Sequence, residues 1–283
     1  MKRWIRQLDR ILRGEVTTPG ALREGIQVPV LGLAAVLLAL AAIHGLCVGT
    51  FAMVRTGGEA WPQMLASAVK VPMLFFLTLI VTFPSLYVFN ALMGSRVTVS
   101  SAFRLLMVAM AVLIATAASL GPIVAFFAVS TTSYNFMVVL NVAACAVAGI
   151  LGLAFLLRTL HRMVLVHEEL DEDASAPPPA ASTAPPPPGR PTGPPPLPGG
   201  EKPSAVPLPS VGMDPYSLRE GLRRRVRGVF YVWCVVFALV GSQMGWILRP
   251  IIGDPNKPFE FFRHREGNFF EAVAHALKAL LSG

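Results

Sequence analysis

Charge is what this sequence has least of. Lys, Arg, Asp and Glu make up 14% of its 283 residues, against about 25% in a soluble globular domain. So small a supply cannot cover the water-facing surface of a chain this long, which excludes an ordinary soluble enzyme. Acid is scarcer than base, with 16 Asp and Glu against 24 Lys and Arg. In a soluble protein that balance would point to nucleic acid. Here the basic residues flank apolar runs, where they meet lipid headgroups, so membrane lipids are the expected partners and nucleic acid is not. Cysteine is also sparse. Cys47, Cys145 and Cys234 form no C-x-x-C pair and each falls in an apolar run. That excludes a disulfide framework and a zinc ribbon, and leaves three small packing residues.

Motifs for chemistry are missing as well. There is no phosphate-binding glycine loop, no Ser-His-Asp set and no pair of carboxylates placed for acid and base work. His161 and His167 are six apart and do not share a helical face well enough to hold a metal. The sequence therefore predicts no catalytic residue, no metal and no cofactor, and a protein that is not an enzyme.

What is abundant is apolar sequence: 54% of the residues are hydrophobic and the mean hydropathy is +0.59. It is concentrated at 28–54, 71–93, 104–129, 136–157 and 229–248. Each run has the roughly 20 residues that a helix needs to cross a bilayer core. In lipid every backbone N–H and C=O must be paired within the segment, so each run is expected to be helical. The fold class is thus an all-α integral membrane protein with five transmembrane helices, four plus one. The first run starts too late and runs too long for the apolar region of a cleavable signal peptide.

Five regions make up the organisation. Residues 1–27 begin with MKRWIRQLDRILRG, where Trp4, Ile5, Leu8, Ile11 and Leu12 share one helical face and Lys2, Arg3, Arg6, Arg10 and Arg13 the other. That pattern is an amphipathic helix lying in the membrane interface. The four-span domain with its helical extension covers 28–173. Residues 174–215 form a Pro-rich disordered linker, with runs such as Pro185 to Pro188 that favour extended polyproline II. Its PxxP spacing also admits an SH3-type partner. Residues 216–250 carry a basic helix and the fifth span, started by Asp214-Pro215 as N-cap and first-turn proline. An external tail, 251–283, ends in a helix over 269–282 capped by Asn268, with Phe269, Val273, Ala276, Leu277 and Leu280 as its apolar stripe.

Positive charge sets the threading. Counting Arg55 and Lys70 in the first loop, one side of the membrane receives 17 Lys and Arg and the other 7. The positive-inside rule then places the N-terminus in the cytoplasm and the C-terminus outside. Arg223, Arg224, Arg225 and Arg227, just before span five, are the densest basic cluster, expected to face lipid headgroups. Trp246 and Arg249 are the expected interface anchors at its far end.

Small residues recur every fourth position, as required for close approach of helices: Ala41-xxx-Gly45-xxx-Gly49, Ala111-xxx-Ala115-xxx-Ser119, Ala144-xxx-Ala148-xxx-Gly152 and Gly241-xxx-Gly245. His44, Asn90, Asn141 and Gln243 are the polar residues within the runs most suited to interhelical hydrogen bonds or a functional role. Pro72, Pro84 and Gly121-Pro122 remove backbone hydrogen bonds from spans two and three. They are tolerated structurally, or they line a transporter cavity at Pro84, Asn90 and Gly121-Pro122.

Three stretches carry a resemblance: FPSLYVFNALMGSR (83–96), SLGPIVAFF (119–127) and MGWILRPIIGDPNKPFEFFR (244–263). With them the chain resembles a family of uncharacterised bacterial polytopic inner-membrane proteins. The opening LDRILRGEVTTPGALREG followed by four spans is distantly similar to Yip1-type membrane proteins. The resemblance implies a multi-pass protein of the bacterial inner membrane and supplies no activity. The expected role is a non-catalytic scaffold or subunit of a membrane assembly, with other membrane subunits or its own copies as partners. The alternative is a transporter or permease component.

Overall fold

The computed structural model describes residues 2–18, 20–21, 28–92, 99–175, 215–263 and 267–282; at 2, 86–92, 99, 161, 163–165, 167–175, 215–227 and 229–230 only the backbone is described. The Pro-rich linker and its SH3-type motifs lie outside the described residues. Among those residues there are helices and no strands: α1 (Lys2–Leu12), a 3-10 turn (Glu15–Thr17), α2 (Val30–Arg55), α3 (Trp61–Leu92), α4 (Val99–Ser130), α5 (Tyr134–Ser175), α6 (Pro215–Ile247) and α7 (Phe269–Ser282).

Helices α2 to α5 are long and apolar enough to cross a membrane, at Val30–Arg55, Trp61–Ser85, Ser100–Ser130 and Tyr134–Leu160. The fifth run lies on α6. The apolar part of α6 among the described residues is Tyr231–Ile247, shorter than the other four. The second run also starts earlier than its hydropathy indicates, at Trp61, so Lys70 is an interior residue of α3 and not part of a loop. Pro72, Pro84 and Pro122 all lie inside unbroken helices.

The helices pack in the spatial order α6, α3, α2, α4, α5, α7, with α1 against α2 and α4. Lipid chains are as apolar as leucine, so burial alone does not hold such helices together; close packing does. Gly45 and Gly49 bring α2 onto α3. A Cβ on Gly45 would run into the Ser67 carbonyl, and one on Gly49 would lie 2.7 Å from Met64 Cα. Pro72 has no N–H for the carbonyl of Ala68, and Gly45 lays the α2 backbone against that same stretch. Gly152 brings α5 onto Ala109 and Leu113 of α4, with Ala144 and Ala148 buried on the same edge. Gly241 and Gly245 face Thr78 and Leu74 of α3. The exception is α4, where Ala111 is buried but Ser119 is exposed. Its packed edge runs through Ala111, Ile114, Ala117 and Gly121 instead.

Helix α1 seats Leu8 and Ile11 in the main core, and its Trp4 indole covers Gly32. Ile5, Leu12 and the arginines face outward. Arg13 pairs with Asp9 at 3.0 Å and Arg10 with Glu15 at 3.1 Å. The hydrogen bond that its guanidinium donates to Asp9, then the Asp9 charge, holds Arg13 above its ordinary pKa.

Gly45→Ala should lower the thermal midpoint in detergent, by the equivalent of about 1–3 kcal/mol for overpacking against a fixed backbone. Gly149 has open space around its missing Cβ, so Gly149→Ala should leave the midpoint unchanged or slightly raised. Equal midpoints for the two variants in a melting assay would contradict the close α2–α3 approach.

Candidate functional site: a lysine clasp at one end of the bundle

Helix α6 runs antiparallel to α3, and its contacts fix the register. Trp233 Nε1 donates to the Thr82 carbonyl at 3.3 Å and to Ser85 Oγ at 3.2 Å. Gly241 lies against Thr78, Gly245 against Leu74, and Pro250 against Lys70. The helix therefore ends level with Lys70. That is nine residues, or about 13 Å at 1.5 Å per residue, short of the start of α3 at Trp61. Over this remaining distance the chain is not helical. Residues 248–263 fold into a strap whose ends meet where the Arg263 N–H donates to the Arg249 carbonyl at 3.3 Å.

Non-helical backbone beside apolar helices needs donors for its carbonyls. One face of α3 supplies them. Gln63, Ser67 and Lys70 are spaced i, i+4 and i+7, so they line a single stripe. Gln63 Nε2 donates to the carbonyls of Pro250 at 3.1 Å and Ile251 at 3.4 Å. Ser67 Oγ donates to the carbonyl of Ile251. Lys70 Nζ donates to the carbonyl of Pro250 at 3.0 Å and to that of Phe261. The ammonium also lies over the faces of Phe261, 4.7 Å from the centroid, and Phe262, 5.5 Å. Lys70 is 0% exposed.

The magnitudes favour this arrangement. A lysine near the centre of a lipid-facing helix costs about 2.5–3.5 kcal/mol. Each hydrogen bond from a charged donor contributes about 1.5–3 kcal/mol, so two carbonyls alone offset that cost.

Side chains of the strap complete the seal. Ile252 joins Val48, Phe51, Val124, Ala128 and Met137 in the second apolar cluster. Gly253 has φ +81, a conformation that disfavours a Cβ, and a side chain there would strike Gln63. Beyond the strap, Asn268 Oδ1 accepts from the Glu271 N–H at 3.0 Å, and Glu271 Oε2 accepts from the Asn268 N–H at 3.1 Å. This reciprocal cap starts α7, which lies along α5 with Ala276 buried and Leu277 exposed. At the same end of the bundle, Arg55 donates to the carbonyls of Val129, at 3.2 Å, and Thr131.

Among the described residues singled out in sequence, only Trp246 and Arg249 come together. His44 is buried in α2, beside Cys47 and opposite Gly121, and neither ring nitrogen has a side-chain hydrogen bond. Asn141 is on α5, with Oδ1 buried and unpartnered. Gln243 is half-buried on α6. The side chains of Asn90 and of Arg223, Arg224, Arg225 and Arg227 lie outside the described residues. Trp246 and Arg249 do meet: the guanidinium stacks 3.7 Å from the ring centroid, and Trp246 Nε1 donates to the Gly267 carbonyl at 3.0 Å. Among the described residues no three His, Cys, Asp or Glu side chains gather as metal ligands. Gln63, Ser67 and Lys70 were missed because Lys70 was assigned to a loop. Their i, i+4, i+7 spacing was the available signal.

The architecture is that of an all-α, multi-pass membrane protein. Comparisons with protein-family models, curated proteins and solved structures give no match.

Gln63→Leu keeps the volume and removes the donor shared by Pro250 and Ile251. The Pro250 carbonyl keeps Lys70 and the Ile251 carbonyl keeps Ser67, so the loss is that of neutral hydrogen bonds at about 0.5–1.5 kcal/mol each, and the strap should open more often. Limited trypsin digestion after Arg263, which His264 follows, should then run about tenfold faster. An unchanged rate would mean that Gln63 does not hold the strap.

Proposed function

We propose that this protein is a non-catalytic scaffold or subunit of a membrane assembly in the bacterial inner membrane. It crosses the membrane five times, with its N-terminus in the cytoplasm and its C-terminus outside. The observation that carries the role is the self-sealed bundle. The strap occupies one end with its described carbonyl acceptors and the Lys70 amine engaged by one another. Among the described residues at the transport-cavity positions, Gly121 is packed against Cys47 and His44, and Ser85, beside Pro84, binds Trp233. Such an interior suits a rigid part better than a solute path.

The threading rests on charge. With Lys70 placed inside α3, the far side loses one of its seven positive charges, which sharpens the asymmetry read from sequence. The fifth crossing is made by α6, whose described apolar part is Tyr231–Ile247, and the strap follows it at the far side. Helix α1, with Ile5 and Leu12 outward beside its arginines, lies at the cytoplasmic headgroups.

Single cysteines at Thr18 and Ser282, in a chain with Cys47, Cys145 and Cys234 replaced by Ala, test the crossing number. A membrane-impermeant maleimide added to intact cells should label Ser282→Cys and spare Thr18→Cys. Equal labelling of both sites would defeat the five-crossing reading. Purification from native membranes in mild detergent tests the role: partners or further copies in fixed proportion are expected, whereas a lone protein carrying a bound solute favours transport.

A further inference from the structure

The surroundings of the Lys70 amine have the chemistry of a binding site. Two backbone carbonyls, Pro250 and Phe261, accept from it, and the faces of Phe261 and Phe262 lie at 4.7 and 5.5 Å. Carbonyl oxygens and aromatic faces are the groups that replace water around an organic cation. The pocket forms just beyond the C-terminus of α6, the negative end of its dipole. No carboxylate contacts the amine among the described ion pairs. Arg263, on the strap itself, is another cation, and it turns toward the Glu260 carboxylate at 3.7 Å and the Pro258 carbonyl at 3.2 Å. A salt bridge would hold any cation in many geometries. Carbonyls and rings select by shape and by N–H donors.

We propose that the strap residues Pro250, Phe261 and Phe262 form a receptor for a primary alkylammonium group, filled in cis by Lys70, and that this recognition latches the strap to the bundle. The α3 stripe provides the stem and the strap provides the head site. Gln63 and Ser67 hold the neighbouring carbonyls in place, so the receptor is preformed for its ligand. The latch goes beyond the scaffold role and does not depend on it.

The ligand can be separated from the chain. Lys70→Ala removes Cγ, Cδ, Cε and Nζ, which together are n-propylammonium. The reporter is a cysteine at Ile252, a strap residue buried against the bundle, in the chain lacking its native cysteines and solubilised in detergent. With Lys70 present, maleimide should label Ile252→Cys slowly. In Lys70→Ala the rate should rise about tenfold or more, as expected for the loss of two charged hydrogen bonds. Millimolar n-propylammonium should restore slow labelling, while tetramethylammonium, which has no N–H, and sodium chloride at equal ionic strength should not. Lys70→Met, with a stem of similar size and no ammonium, should label as fast as Lys70→Ala. If Lys70→Ala does not fold, adding n-propylammonium during solubilisation should recover it. The proposal is overturned if Lys70→Met is as protected as the Lys70 chain, if Lys70→Ala stays protected, or if n-propylammonium neither protects nor recovers Lys70→Ala. Detergent-solubilised protein makes the result independent of threading and of partners.

Discussion

A carbonyl that has lost its helix and an amine that has lost its water solve each other's problem in this fold. Neither the strap at 248–263 nor Lys70 would be tolerated alone. Irregular backbone beside apolar helices leaves acceptors unpaired, at several kcal/mol each in hydrocarbon. A buried ammonium with no acceptor is costlier still. Together they share bonds: Lys70 with Pro250 and Phe261, Gln63 with Pro250 and Ile251, Ser67 with Ile251. The end of α6, the course of the strap and the position of Ile252 in the second cluster all depend on that exchange.

The exchange works only because the bundle beneath it is stiff. A stripe of three donors matches three carbonyls only if α3 keeps its position relative to α6. The small residues provide this. Gly45 and Gly49 set α2 against α3 near Ser67, and Gly241 and Gly245 set α6 against α3 at Thr78 and Leu74. Between helices in lipid a polar contact averages only about 0.6 kcal/mol. Dense contact along a whole helix therefore outweighs any single bond, and the bonds serve mainly to fix register.

The gross fold was legible because hydropathy measures what lipid selects. Four runs became four long apolar helices, and three of the four small-residue faces proved to be packing faces. Other features were hidden, each for a physical reason. Hydropathy averages over polar residues inside a helix, so the segment opened by Trp61 was trimmed to Val71, and Lys70 fell into an imagined loop. Repeats of small residues occur by chance in an alanine-rich helix, which is why Ala111, Ala115 and Ser119 misled. Trp246 and Arg249 could be named from sequence as interface anchors, but sequence could not show that they stack close to the Lys70 site. Depth depends on the α3–α6 register, and that register depends on long-range contacts such as Trp233 with Thr82 and Ser85.

Helix α6 is separated in sequence from α5 by residues 176–214, so a short loop does not fix its place. Short loops position α2 to α5 relative to one another: α3 begins six residues after Arg55, and α5 four residues after Ser130. For α6 that information must come from side chains, and it comes from both ends. Trp233 fixes one end through the Thr82 carbonyl and Ser85 Oγ. The clasp at Gln63, Ser67 and Lys70 fixes the other. A helix held at two points can neither slide nor rotate against α3, while one held at a single point can do both. The clasp is therefore best understood as the second of two locks that replace a missing loop. The strap extends far enough past Ile247 to reach it because α6 itself stops short.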